Sequence, residues 1–363
     1  MKTQRRIAIM IILVLFVQQL SGCSTRQTDA EAASGTRTVT DMAGRAVEIP
    51  DRVNKVYATG AIGTILLYTL APEKLAGWNS ALSDTEKVYI DSQYHYLPVL
   101  GSWKGTKLNG NMEEILKTEP DLIINMGDVS EAYINDANAI AQQLRIPVIM
   151  VDGSLEKTAD AYEFLGDILN VGERAKDLAD YASEALSEVR GAIGIIPENQ
   201  RVTYYYAEGV KGLETETGNT LNTEALSLAG AVNVADRALD KGSRRIQVSL
   251  EQILAWDADM IIISTDGDGK HQLYNEITSG SWENIDAVKN GMVYEIPFAP
   301  YDWLNRPPSV NRLIGIKWLA NLLYPDVYEM NLRKEIQRYF KLFYSYEPSD
   351  EDMNVLLELS ERK

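Results

Sequence analysis

Residues 172–194 read GERAKDLADYASEALSEVRGAIG. Ala175, Leu178, Ala182, Ala185, Leu186, Val189 and Ile193 recur at steps of three and four, so they share one helical face. Glu173, Arg174, Lys176, Asp177, Asp180 and Glu184 take the other face. Gly191, Gly194 and Pro197 close the segment. At about 1.5 Å per residue such a helix spans roughly 30 Å, the width of a small domain.

The two flanks of this helix are alike. Residues 112–126 read MEEILKTEPDLIINM, and residues 250–264 read LEQILAWDADMIIIS. Each is a short amphipathic helix, a spacer with aspartate, and an apolar run suited to a buried strand. One large α/β domain could hold two such units. The pattern fits better an α/β protein of two Rossmann-like lobes of similar design, joined by the long helix as a rigid strut.

The N-terminus stands apart from the fold. Lys2, Arg5 and Arg6 precede an uninterrupted apolar run over 7–17, shorter than the ~20 residues a spanning helix needs. Leu20-Ser21-Gly22-Cys23 then matches the lipobox of bacterial lipoproteins, and Cys23 is the only cysteine, so no internal disulfide can form. Residues 1–22 are expected to be a lipoprotein signal peptide and 23–35 a flexible tether. The acylated chain would sit on the outer face of the cytoplasmic membrane. Loss of residues 1–22, with their three basic side chains, would take the net charge from −17 to about −20. An acidic body of this kind argues against a nucleic-acid partner.

The rest of the chain divides at breaks in pattern. An N-terminal α/β lobe is expected over 36–153, linking helices over 154–196, a C-terminal α/β lobe over 197–325, and closing helices over 326–363. Strands are expected at 52–59, 74–78, 98–101, 146–151, 201–207 and 291–296. Helices are expected at 64–70, 130–144, 155–169, 223–229, 331–343 and 350–359. A further helix is expected over 305–323, with Pro307 and Pro308 in its first turn.

Enzyme motifs fail one by one. The run DGDGKH at 266–271 lacks the glycine and hydroxyl residue of a Walker loop, and the glycine and glutamate of a calcium loop. Gly101-Ser102-Trp103-Lys104-Gly105 places serine second, so it is not a nucleophile elbow. The two histidines, His95 and His271, fall in different lobes and support neither a triad nor a zinc site.

Taken in order, several segments resemble the class III solute-binding proteins of ABC importers. They are DMAGRAVEIP at 41–50, VLGSW at 99–103, the paired helix–strand units, MVYEIP at 292–297, LNRPPSVNRLIGIKWLANLLYPD at 304–326 and FKLFYSYEPSDED at 340–352. The resemblance covers nearly all of the chain after the tether. It implies two Rossmann-like lobes, one bridging helix and a ligand in the cleft between lobes; a single helix resists bending more than two or three loose strands would, so hinge closure is expected to be small. It implies a membrane permease and its ATPase as partners, with one acidic residue on each lobe pairing with permease arginines. Glu131 and Glu276 are the candidates, with Asp268 as a rival. No intrinsic cofactor, no resident metal and a monomeric body are expected.

Ligand contacts should come from loops at the C-terminal ends of strands. On the first lobe the candidates are Gly60, Trp78, Ser102 and Trp103. On the second they are Tyr206, Glu208, Asn219, Arg245, Tyr301, Trp303 and Arg306. Gly60 opens a helix whose free N–H groups suit an anion. Trp103 reads either as a ligand contact or as a buried loop tryptophan. Arg306 reads either as a forked donor for ligand oxygens or as a local salt bridge. Tyr204, Tyr205 and Tyr206 alternate across a strand, so not all three can face the cleft. The aromatics suit a bulky metal chelate: a ferric siderophore first, with cobalamin or haem as further cases. The arginines and the Gly60 helix end would also suit molybdate or tungstate. From another class, a metal-cofactor enzyme or chelatase could use two facing lobes of this kind.

Overall fold

The apolar runs that end the two similar units become inner strands of two separate parallel sheets. In the first, Leu122–Gly127 lies between Val56–Ala58 and Val148–Asp152, with Ile123 opposite Tyr57 and Ile124 opposite Ile149. In the second, Thr203–Ala207 and Met260–Ile263 lie inside Val232–Asn233 and Val293–Glu295, with Met260 opposite Tyr204 and Ile261 opposite Val293. The computed structural model describes residues 35–362 except 105, 106, 109, 110, 219, 241–244 and 265–270. Cys23 with its leader, Asn219 and Asp268 lie outside the described residues.

Period-two alternation sends the two faces of each sheet to different cores. Val56, Leu122, Ile124, Ile149 and Val151 from one sheet, and Tyr204, Tyr206, Met260 and Ile262 from the other, join one continuous core. The opposite faces are covered separately. Tyr57, Ile123, Val148 and Met150 pack with Ile115, Ala137 and Ile140. Tyr205, Ile261 and Ile263 pack with Ile253, Ile277 and Trp282. Strands buried on both faces explain why these runs are apolar throughout rather than alternating.

The bridging helix, Gly172–Ile193, runs through the shared core. It buries the face that its spacing predicts, together with Ala179 and Tyr181. Small residues let neighbours approach closely: a Cβ at Gly166, on helix Thr158–Leu169, would overlap that of Ala175. Helices Arg312–Leu323 and Leu332–Tyr344 cover the other side. There Lys317, 3% exposed at its side chain, has its ammonium 2.7 Å from Glu335 and 2.9 Å from Glu188 of the bridging helix. Tyr181 donates to Glu335 at 2.7 Å, so two helices share one carboxylate.

The structure corrects three local expectations. The helix expected over 305–323 begins only at Arg312. Arg306 and Pro307 both precede a proline, and a residue in that position is disfavoured in the helical region. Residues 74–78 and 98–101 form isolated bridges, Val56 to Leu75 and Trp78 to Val99, rather than strands. Pro98 has no N–H to give to a ladder. The helix expected from residue 64 starts earlier, at Ala61.

Two glycines in helices should respond oppositely to a methyl group. A Cβ at Gly315 would overlap the Trp303 carbonyl, which is backbone and cannot swing away. Gly315→Ala should cost about 3 kcal/mol. Gly191, inside the bridging helix, has nothing within 4 Å of such a Cβ. Gly191→Ala should add about 0.5–1 kcal/mol through helix propensity. Urea unfolding of both variants checks the pair; equal effects would contradict this packing.

Candidate ligand-binding cleft

Loops at the C-terminal ends of both sheets face each other across a cavity of about 690 Å³. On the first-lobe side, Thr59 and Gly60 follow strand Val56–Ala58 and lead into helix Ala61–Leu70. Gly60 is extended, no side chain caps the helix, and its first turn carries no acidic residue. Its opening N–H groups therefore leave a partial positive charge beside Gly60, Ala61 and Ile62 on the cavity wall. The Thr59 hydroxyl donates to Asn125 at 2.7 Å, and the Trp103 N–H donates to the Thr59 carbonyl at 2.7 Å. These bonds fix the wall's edge.

Strand Leu122–Gly127 ends in Asn125, Met126 and Gly127, all on the cavity. Helix Glu131–Leu144 then sets Tyr133, Asp136 and Ile140 along one face toward it. Gly127 carries no side chain where the Tyr133 ring approaches: a Cβ there would stand 3.1 Å from the ring edge.

The second-lobe side is built around Arg306. Its guanidinium is paired with Glu208, at the end of strand Thr203–Ala207, and lies 3.4 Å from Glu216. Glu216 in turn accepts from Asn222 Nδ2 at 2.9 Å. Both carboxylates are almost fully buried, at 1% and 2% exposure. Arg245 Nη1 stands 3.9 Å from Glu214. The turn that presents Arg306 is held by Asp302, which accepts from the N–H groups of Leu304 at 2.7 Å and Asn305 at 2.9 Å. The Asn305 amide donates to the Tyr206 hydroxyl.

Burial dominates the titration of this cluster. It pushes Glu208 up to about 6, against the pull of Arg306. It also pushes Asp302 up to about 6, against the Asn305 and Leu304 N–H groups. For Arg306, burial disfavours the charge, but the hydrogen bond to Glu208 and the nearby charges of Glu208, Tyr206 and Glu216 together outweigh it and keep the guanidinium protonated. Among the described residues no three His, Cys, Asp or Glu side chains converge as a metal-binding group. The site can orient and hold a polar ligand.

Residues 67–300 match the periplasmic binding protein family. The chain belongs to that family. It is 27% identical to a molybdate-binding protein of Haemophilus influenzae, over 88% of this chain and 94% of the relative. It is 24% identical to an Fe(3+)-citrate-binding protein of Bacillus subtilis, over 81% and 90%. An ABC transporter solute-binding protein of Sulfurospirillum deleyianum superposes with a TM-score of 0.80 at 29% identity, covering 89% of this chain and 99% of that one. The two-lobed fold and the cleft are those of the class III solute-binding proteins that serve ABC importers. A binding protein, not an enzyme or a chelatase, is what the family establishes.

Of the residues singled out in the sequence, Gly60, Trp103, Arg245 and Arg306 meet on the cavity of this solute-binding protein. Glu208 stands behind Arg306 as its buried partner. Trp103 packs in the outer core while lining the cavity, and Arg306 makes the local salt bridge from the cavity wall. Ser102 is half-buried in the loop beside Trp103 and off the wall.

Four aromatics go elsewhere. Trp78, Tyr206, Tyr301 and Trp303 all belong to the shared core. The indole N–H groups of Trp78 and Trp303 are satisfied there by the carbonyls of Tyr94 at 2.8 Å and Ala299 at 3.0 Å. A tryptophan with its one polar atom paired is most stable with the whole ring buried. Glu131 and Glu276 are exposed, on helices Glu131–Leu144 and Gln272–Ile277. The sequence reading missed Asn125, Tyr133, Asp136, Glu216 and Asn222. The only signal was the position of the first three, at or just beyond a strand's C-terminal end.

The raised carboxyls give the protein's stability a definite slope with pH. Glu208 and Asp302 hold protons more tightly folded than unfolded. Their contribution is full below their ordinary values of 4.5 and 3.8, and is lost as pH rises through about 6. Glu208→Gln should flatten the fall in melting temperature between pH 5 and 7. An unchanged slope would show that Glu208 does not titrate there.

Proposed function

We propose that this protein captures an oxygen-rich ferric chelate, a siderophore or an iron hydroxycarboxylate, and delivers it to a membrane permease and its ATPase. The observation that carries this reading is the cavity of about 690 Å³, polar on both walls, with a helix N-terminus on one side and Arg245 and Arg306 on the other. That size suits a ligand of several tens of atoms. The metal would arrive within its own chelate as cargo, and the protein would bind the chelate's oxygens.

Cobalamin and haem lose the support they had. A large flat macrocycle calls for aromatic walls, and Trp78 and Trp303 are in the core, leaving Trp103 and Tyr133. Molybdate or tungstate remains a second reading. The uncapped helix end favours a compact oxyanion, and the Haemophilus influenzae relative is named as a molybdate binder. Against it, a four-oxygen anion would leave most of the cavity to water.

The same proposal includes the anchor and the docking surface. Cys23 would carry the lipid and hold the body at the outer face of the cytoplasmic membrane. Among the described residues no helix is long and apolar enough to cross a membrane. Residues 36–153 and 197–325 would be the two lobes, with 154–196 linking them and 326–363 closing the body, which would act as a monomer.

A thermal-shift panel on the chain from residue 24 onward tests the cargo. Ferric citrate, ferric siderophores, molybdate, tungstate, cobalamin and haem would be compared. A true ligand at about 100 times its dissociation constant adds about 2.7 kcal/mol. A rise with a ferric chelate alone is the expected result; a rise with molybdate or tungstate alone would replace it with the oxyanion reading. A second test concerns docking. Glu131→Lys together with Glu276→Lys should abolish uptake in cells while leaving ligand affinity unchanged, and retained uptake would remove these residues from the permease contact.

A further inference from the structure

The charges on the cavity are unequally matched. Arg306 is held between Glu208 and Glu216, so its charge meets two buried carboxylates. Arg245 has Glu214 within 3.9 Å. Glu216 is also bonded by Asn222. Asp136 differs from all of these. It lines the cavity from the first lobe, one helical turn beyond Tyr133, and among the described residues no hydrogen bond or ion pair engages its carboxylate. The first-lobe wall therefore presents an uncompensated acceptor opposite a second-lobe wall whose cations already have partners.

We infer that Asp136 sets the charge selectivity of this cleft, admitting ligands that bring a cation or hydrogen-bond donors and disfavouring fully ionised oxyanions. The inference rests on the cleft being the ligand site. It narrows the cargo to a chelate with ammonium, amide N–H or hydroxyl groups on the face turned toward helix Glu131–Leu144. A bare tetraoxyanion would meet the helix end at Gly60 favourably, but would share the cavity with an unpaired carboxylate. A chelate carrying both acceptor oxygens and donors satisfies both walls. An unpaired carboxylate on a partly desolvated wall acts strongly because low-dielectric surroundings screen it less than water does.

Asp136→Asn tests this, because it keeps the shape and removes the charge. Three probes are titrated calorimetrically against the chain from residue 24: molybdate, a ferric trihydroxamate with a free terminal amine, and the same chelate with that amine acetylated. In the variant, molybdate affinity should rise about tenfold. The preference for the amine chelate over its acetylated form should fall about tenfold. Asp136→Glu should keep the wild-type order. Since Asp136 makes no bond within the described protein, Asp136→Asn should melt within a few degrees of wild type, which excludes misfolding as the cause. Unchanged molybdate affinity together with an unchanged chelate preference overturns the inference. If the wild-type protein binds neither chelate, the proposed cargo fails, and the molybdate comparison alone decides Asp136: a gain supports it, and no gain, including no binding to either protein, overturns it.

Discussion

The geometry of the cleft depends on one buried charge. Arg312 opens helix Arg312–Leu323 and is 2% exposed. It donates to the carbonyls of Ser309 at 3.1 Å and Gly153 at 2.7 Å, and to Glu224 at 2.9 Å. Glu224 also accepts the Leu155 N–H at 2.9 Å. Gly153 follows the last strand of the first sheet and bonds the Gly127 carbonyl on the cavity wall. Glu224 stands just past Leu221 and Asn222 on the facing wall. One ion pair thus ties the exits of both lobes. Burial disfavours the Arg312 charge and Glu224 works against that. Loss of either partner would strand the other, at a cost of about 3–5 kcal/mol.

This constraint agrees with the shared core. The sheets do not meet through a few loose strands. They pack from both ends onto the bridging helix and the C-terminal helices, with Lys317 fixed between two of those helices by Glu188 and Glu335. Rotating one lobe against the other would break close-packed contacts and desolvated ion pairs together. Small closure, the expectation drawn from the single long helix, has a second physical ground in these contacts, which a hinge motion would have to break.

The architecture was legible because its signals are periodic. The bridging helix follows from a step of three and four, and the two inner strands from apolar runs preceded by matching amphipathic helices. The alternation of Tyr204, Tyr205 and Tyr206 between two cores follows from the pleat alone. The site was legible only in part. Residue type identifies a group that can bind, but not which way it faces. Trp78 ends an expected strand and Trp303 sits in loop-like sequence, and their indole N–H groups are claimed by carbonyls that no local pattern announces. Tyr133 and Asp136 look like the solvated face of an amphipathic helix. Only the position of the second lobe turns that face into a wall. Pro307 and Pro308 read as a helix start, yet each disfavours helix in the residue before it, so the chain stays out of helix through Arg306 and the turn can carry that side chain to the cavity.

The cleft therefore separates two kinds of recognition. Strand ends and the helix opening at Gly60 are backbone features, present wherever this fold places a helix after a strand, and they offer N–H groups to any ligand oxygen. Relatives named for molybdate and for ferric citrate match this chain at 27% and 24% identity. Backbone donors alone do not distinguish such cargoes, since they meet any ligand oxygen alike. The distinction must lie in side chains that vary without disturbing the fold, placed on the rim rather than in the core. Asp136 and Tyr133, on the first-lobe wall, meet that condition. Arg306 does not, because its buried partners bind it into the structure. A residue so committed fixes the shape of the wall; under the proposed binding role, cargo preference would be set by Asp136 and Tyr133, which the structure leaves uncommitted among the described residues.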